Sequence, residues 1–273
     1  MTILEKIRSG TNFACNFRNP IGIFLKRMIP SSQMLRLIDR ATGVRCDCNI
    51  ASHRMFGETW HDRDYDVPYV AIRPGDKVID IGANQGFYAC YARHQGADVY
   101  AFEPTPTSFA LLNSNLALNG FSDRVFTKQA AVGGKDGITQ LMVSNRLGGG
   151  MNTTQKTFSE STQLPISQRL DVQCVSLNSV LDEFSLDVIR CCKMDCEGSE
   201  LDILAGLDES NRCKFTSFVI EYHPTAYRLN DLIDLLLSWK THQISFAEDK
   251  SYTSRQILRA ISNDFFRTFI DRS

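Results

Sequence analysis

The chain has 273 residues, a net charge of −1, and 43% hydrophobic against 22% charged side chains. That balance is normal for a packed soluble protein, and it excludes a bulk electrostatic pull toward nucleic acid or anionic membrane. "IGIFL" (21–25) is far too short to span a bilayer, and "MTILEKIRSG" lacks the apolar region of a secretory signal.

"NPIGIFLKRMIPSSQMLRLIDRATG" (19–43) reads as two short helical pieces, interrupted at Pro30, capped by Ser31 or Ser32 and ended by Gly43. "HRMFGETWHDRDYD" (53–66) reads as an irregular stretch that serves either as packing or as a lid. We take residues 1–65 as an extension and 66–273 as the main domain.

From Pro68 onward strands and helices alternate. "KVIDIG" (77–82) is a strand, "NQGFYACYARHQG" (84–96) a helix, "ADVYAFEP" (97–104) a strand and "TPTSFALLNSNLALNG" (105–120) a helix. Strands are expected over 124–134 and 137–144, followed by a polar glycine-rich loop over 145–168. A strand and short helix, "LDVQCVSLNSVLDEF", come next. Further strands are expected at 187–195, 215–224 and 242–249, with helices at 198–207 and 229–240. "SRQILRAIS" reads as a short helix and "DFFRTFIDR" (264–272) as a final strand. The alternation implies a mostly parallel sheet with helices on both faces.

The nine cysteines fit reduced thiols in a cytoplasm better than a disulfide framework. Cys46 and Cys48 resemble half a zinc site, but no second pair stands at the required spacing.

Ligands of such sheets bind beyond the carboxyl ends of the strands. The loop there reads Gly82-Ala83-Asn84-Gln85-Gly86. In a dinucleotide fingerprint Asn84 would occupy the second glycine position and crowd a pyrophosphate, and no Gly-Lys-Ser/Thr is present. Asp80, two residues before Gly82, would repel a pyrophosphate and attract a positively charged ligand. S-adenosylmethionine, with its ammonium and sulfonium, fits. Glu103, 17 residues after Gly86, suits the two hydroxyls of a ribose.

"VIDIGANQGFY", "VYAFEPTPTSFALLNSNLALNG", "AAVGGKDG", "VSLNSVLDEF", "KMDCEGSE" and "FVIEYHP" occur here in that order. Together they closely resemble the FkbM family of class I methyltransferases over residues 58–225. Asn178 and Cys196 depart from that pattern, at positions where the family usually has Asp and Val. The resemblance implies a Rossmann-like seven-stranded sheet and S-adenosylmethionine as methyl donor. The cofactor residues are then Asp80, Gly82, Ala83, Asn84, Gly86, Glu103, Pro104, Ala130 and Asp195, with Glu58 from the preceding segment. The acceptor implied is a sugar hydroxyl or another small secondary metabolite.

A hydroxyl acceptor needs a proton acceptor or a metal. In "EYH" Glu221 and His223 share one strand face. His223 is the expected neutral base, with Asp195 and Glu221 beside it as catalytic candidates. Asp195 and Glu221 are also the pair that would ligate Mg²⁺, although a metal is not the favoured reading. The glycine-rich Gly148–Asn152 stretch is a candidate cover for the acceptor. An N- or carboxyl-methyltransferase, an NAD-dependent oxidoreductase and a non-catalytic binding protein remain open, as does homo-oligomerisation.

Overall fold

A computed structural model describes residues 34–144, 152–163, 165–246 and 256–270. It begins with an antiparallel hairpin of β1 (Met34–Ile38) and β2 (Arg45–Asn49). The helix expected before Gly43 is therefore corrected. Cys46 and Cys48, two apart, both point into the core, so a period of two organises this stretch. Burial pushes the Cys48 thiol up to about 12. The first of the two expected helical pieces lies outside the described residues.

The irregular reading of 53–66 is also corrected, because its first part is helix α1 (His53–Trp60). Phe56 and Trp60, one turn apart, stack with centroids 5.7 Å apart. They meet Phe87 and Tyr91 edge-on. Two aromatics four residues apart suffice to fix a helix against a core, even among polar neighbours.

β3 (Lys77–Ile81), α2 (Phe87–His94), β4 (Asp98–Phe102), α3 (Pro106–Leu118) and β5 (Val125–Lys128) follow as expected. The single strand expected over 124–134 instead breaks at a tight turn where Ala130 N–H donates to the Lys128 carbonyl. Beyond it β6 (Ala131–Gly133) leaves the main sheet. With β7 (Gly137–Ser144) and β8 (Ile166–Ser176) it forms a small side sheet in the order β6-β8-β7. Between β7 and β8 lies α4 (Lys156–Ser161), inside the segment expected to be all loop.

α5 (Leu177–Glu183) is capped by Ser176, whose Oγ accepts the Ser179 N–H at 3.2 Å. Replacing Ser176 by alanine should cost about 0.5–2 kcal/mol, read as a lower urea midpoint with unchanged slope. Asn178 donates to the Gly206 carbonyl and accepts from the Asp208 N–H. An ionised aspartate could not make the first of these bonds.

β9 (Cys191–Met194), α6 (Glu200–Ala205), α7 (Glu209–Arg212), β10 (Ser217–Tyr222), α8 (Leu229–Ser238) and β11 (His242–Phe246) continue the alternation. The last two assignments are reversed. "QILRAIS" is strand β12 (Gln256–Ser262) and the segment after it is helix α9 (Asn263–Ile270). β12 lies between β10 and β11, antiparallel to both. Ile257, Leu258, Ala260 and Ile261 are buried on its two faces. A strand covered on both sides loses the alternation that would reveal it.

The main sheet has seven strands in the order β11-β12-β10-β9-β3-β4-β5, all parallel except β12. Successive residues feed two cores. Val78, Val99 and Cys191 pack toward α2, α3 and the N-terminal hairpin. Ile79, Tyr100 and Cys192 pack toward α5, α6 and α8. The eight described cysteines are free thiols. Among the described residues no helix is long and apolar enough to cross a membrane.

Candidate active site

The chain runs from β3 outward to β5 and later returns to place β9 on the other side of β3. This is the switch point where an open parallel sheet leaves a crevice at its carboxyl ends. A cleft opens there, and Gly82, Asn84, Glu103, Pro104, Ala130 and Asp195 line it. Met55 of α1 adds an apolar wall that sequence reasoning had missed.

The loop after β3 can take this shape only with small residues. Gly82 has φ +72°, and a Cβ there would overlap the Asp195 carbonyl. Gly86 has φ +83° and leaves no room for a Cβ beside Leu112. Asn84 has φ +48°, a conformation asparagine tolerates better than most residues. Its N–H donates to Glu103 Oε2 at 2.9 Å, while the Thr105 N–H donates to Oε1 at 2.8 Å. Burial raises the Glu103 carboxyl against the pull of these two bonds. The Asn84 Oδ1 atom is buried and has no hydrogen-bond partner among the described residues.

Asp80 is not in the cleft wall. Its side chain is 0% exposed and pairs with Lys193 Nζ at 3.2 Å. The expected direct contact between Asp80 and a cationic ligand is corrected: a lysine of β9 already supplies the positive charge. Lys193 Nζ also donates to the Gly82 carbonyl at 2.9 Å and sits 5.4 Å from the centre of the Tyr65 ring. Burial pulls its ammonium down, but Asp80 and Asp195 outweigh that and raise it, so Lys193 stays charged. Glu58 is buried on α1, with Arg54 3.9 Å away, and Ala83 and Gly86 shape the loop from behind.

At the ends of β9 and β10 the acidic groups gather. The Tyr65 hydroxyl bridges Glu221 Oε2 at 2.9 Å and Asp195 Oδ2 at 3.2 Å. His223 Nδ1 lies 2.9 Å from Glu200 Oε1. Its Nε2 lies 3.5 Å from Glu197 Oε2 and 3.7 Å from Asp195 Oδ1. Burial would lower the imidazole, but Glu200, Glu197 and Asp195 overcome it and push His223 up to about 10. The expected neutral base is thus corrected: His223 holds its proton at neutral pH. The Tyr65 hydroxyl stands between Asp195 and Glu221, the two residues named above for Mg²⁺.

The opposite wall comes from the segment before α4. The Asn152 amide donates to Thr105 Oγ1 at 3.1 Å. Thr153 donates to the Glu197 carbonyl at 2.7 Å, and the Thr154 and Ser199 hydroxyls are 2.8 Å apart. Of the expected glycine-rich cover, only Asn152 falls among the described residues.

Residues 80–249 match the methyltransferase FkbM domain, more than half of the chain. The chain belongs to the FkbM methyltransferase family. It is 29% identical over 229 residues to the 31-O-demethyl-FK506 methyltransferase FkbM of Streptomyces tacrolimicus, across 75% of this chain and 86% of that one. It is 24% identical over 235 residues to the 2-O-methyltransferase NoeI of Sinorhizobium fredii, across 81% of this chain and 91% of that one. Among solved structures, the METTL16 methyltransferase domain aligns with a TM-score of 0.50 at 14% identity, covering 89% of this chain and 78% of that chain. That likeness is one of fold.

In this FkbM-family chain, sequence reasoning gave no role to Lys193 or Glu200 and reached Tyr65 only as part of the 53–66 lid reading. Lys193 carries a signal, since a lysine in the middle of an apolar strand needs a buried partner. Glu200 stands at the start of α6, where an acid needs no further explanation. It is nevertheless 0% exposed, accepting from the Cys196 N–H at 3.0 Å and from the Tyr227 hydroxyl at 3.2 Å.

Proposed function

We propose that the protein transfers a methyl group from S-adenosylmethionine to a hydroxyl on a sugar or another small secondary metabolite. Glu103 carries this reading. It ends β4 at the switch point and is fixed by two backbone N–H groups, with its carboxylate on the cleft wall. Such a carboxylate accepts hydrogen bonds from adenosine ribose hydroxyls. Asn84 Oδ1 offers a further acceptor to a donor on the ligand, and the Asp195 carboxylate on the wall favours a cationic one. S-adenosylmethionine, when bound, supplies a methyl activated by its sulfonium.

The chain must then align the acceptor and remove one proton. Asp195 and Glu197 are the members of the acidic cluster that reach the cleft wall; burial raises the Glu197 carboxyl and His223 is already charged, so Asp195 receives that proton. The named activities of the two relatives, both O-methyltransferases, support a hydroxyl acceptor. Asn84, in place of the glycine a pyrophosphate needs, argues against NAD. Reduced thiols and a cytoplasmic location belong to the same reading.

Calorimetry decides the cofactor. Wild type should bind S-adenosylmethionine and ignore NAD. Glu103→Ala should weaken S-adenosylmethionine binding at least tenfold, since each hydrogen bond to a charged group contributes about 1.5–3 kcal/mol. Tight NAD binding with S-adenosylmethionine ignored would sink the proposal.

A further inference from the structure

We propose that Asp195, Glu197 and His223 form a binding site for one divalent transition-metal ion on the wall of the cleft. One ligand atom from each lies within 4.8 Å of the others. The Nε2 to carboxylate distances of 3.5 and 3.7 Å exceed the usual length of a charge-assisted hydrogen bond. Two ligands each about 2.1 Å from one ion stand roughly 3–3.5 Å apart, close to what is found here.

A second observation comes from behind the histidine. Ligating histidines characteristically give their other ring nitrogen to a carboxylate, which fixes tautomer and ring orientation. Glu200 takes that place at His223 Nδ1, fully buried and held by the Cys196 N–H and the Tyr227 hydroxyl. The ring is thereby aimed at Asp195 and Glu197, and an ion binding there displaces the proton that Nε2 carries in the empty site. The backbone contributes too: Glu197 has φ +55° and Gly198 φ +104°. A non-glycine residue in the left-handed region persists only where its surroundings enforce it. Tyr65 engages Asp195 Oδ2 at 3.2 Å, on the side away from the histidine-facing Oδ1.

One imidazole and two carboxylates suit Mn²⁺ or Zn²⁺ better than Mg²⁺ or Ca²⁺, which prefer oxygen ligands throughout. Asp195 and Glu197 both face the cleft, so the remaining coordination positions open toward it. An acceptor hydroxyl bound there would lose its proton more readily. The site is inferred from the side chains alone and stands independently of the methyl acceptor.

The full chain, stripped with EDTA and dialysed, is titrated with MnCl₂ in the absence of S-adenosylmethionine. The electron paramagnetic resonance signal of free Mn²⁺ is followed, and the titration is repeated calorimetrically with ZnCl₂. One ion should bind per chain, in the micromolar range or tighter. The Asp195→Asn/Glu197→Gln double variant should lose at least a hundredfold in affinity, and Glu200→Gln about 10- to 100-fold. Thermal melts establish that each variant is folded; if one is not, the single variant Glu197→Gln replaces it. Failure of both metals to bind wild type below millimolar concentration overturns the site. So does equal binding by a folded variant lacking one of the two carboxylates.

Discussion

Asp195→Asn should lower turnover about 10²- to 10⁴-fold, the usual worth of a positioned proton acceptor, while S-adenosylmethionine affinity changes far less. The substitution is isosteric; besides charge and basicity it removes a ligand of the proposed metal site, so wild type and variant are compared in EDTA. Asp195 is singled out because it lines the cleft, whereas Glu221 is not among the lining residues and His223 carries its own proton. Glu197 shares the wall, so Glu197→Gln is the comparison. Burial, with Asp195 and Glu221 adding to it and His223 opposing, pushes its carboxyl up to about 8. Single-turnover kinetics with saturating cofactor separate chemistry from binding. If Asp195→Asn turns over within about threefold of wild type, Asp195 does not take the proton.

The largest effect on stability is expected at Lys193. Lys193→Met should destabilise the fold by about 3–5 kcal/mol, because it leaves the fully buried Asp80 without its cation. It also strips the donor from the Gly82 carbonyl in the cofactor loop. Against a total stability of roughly 5–15 kcal/mol, that loss is severe. The double variant Asp80→Asn/Lys193→Met should regain much of it, since no buried charge then stands alone. Guanidinium unfolding of the four proteins gives the coupling energy directly. A Lys193→Met loss below about 1 kcal/mol would show that the pair is not held as described.

How much of this was legible depended on distance along the chain. Asp80, Gly82, Gly86 and Glu103 belong to one strand–loop–helix–strand unit, and the backbone rules for such a unit are local. The loop could therefore be read, although the role of Asp80 could not: its partner Lys193 lies on a strand 113 residues later. Tyr65 reaches Glu221 across 156 positions. The E-x-H pattern was visible, but the charge on His223 depends on Glu200, which opens a helix elsewhere in the chain. The strand at 256–262 escaped for a different reason. It is buried on both faces, so its pattern of side chains shows no period by which to recognise it.

The strip Asn152-Thr153-Thr154 has a thermodynamic consequence. Asn152 and Thr154 line the cleft, and this strip is hydrogen-bonded to Thr105, Glu197 and Ser199 around it. If the strip can undock, its docking and the occupancy of the cleft are two equilibria that meet at one wall. Linkage makes their influence mutual: if a docked strip improves ligand affinity by some factor, ligand improves docking by that same factor. A substitution in the strip can therefore change apparent affinity without touching the ligand, by altering only the fraction of molecules in which the wall is closed.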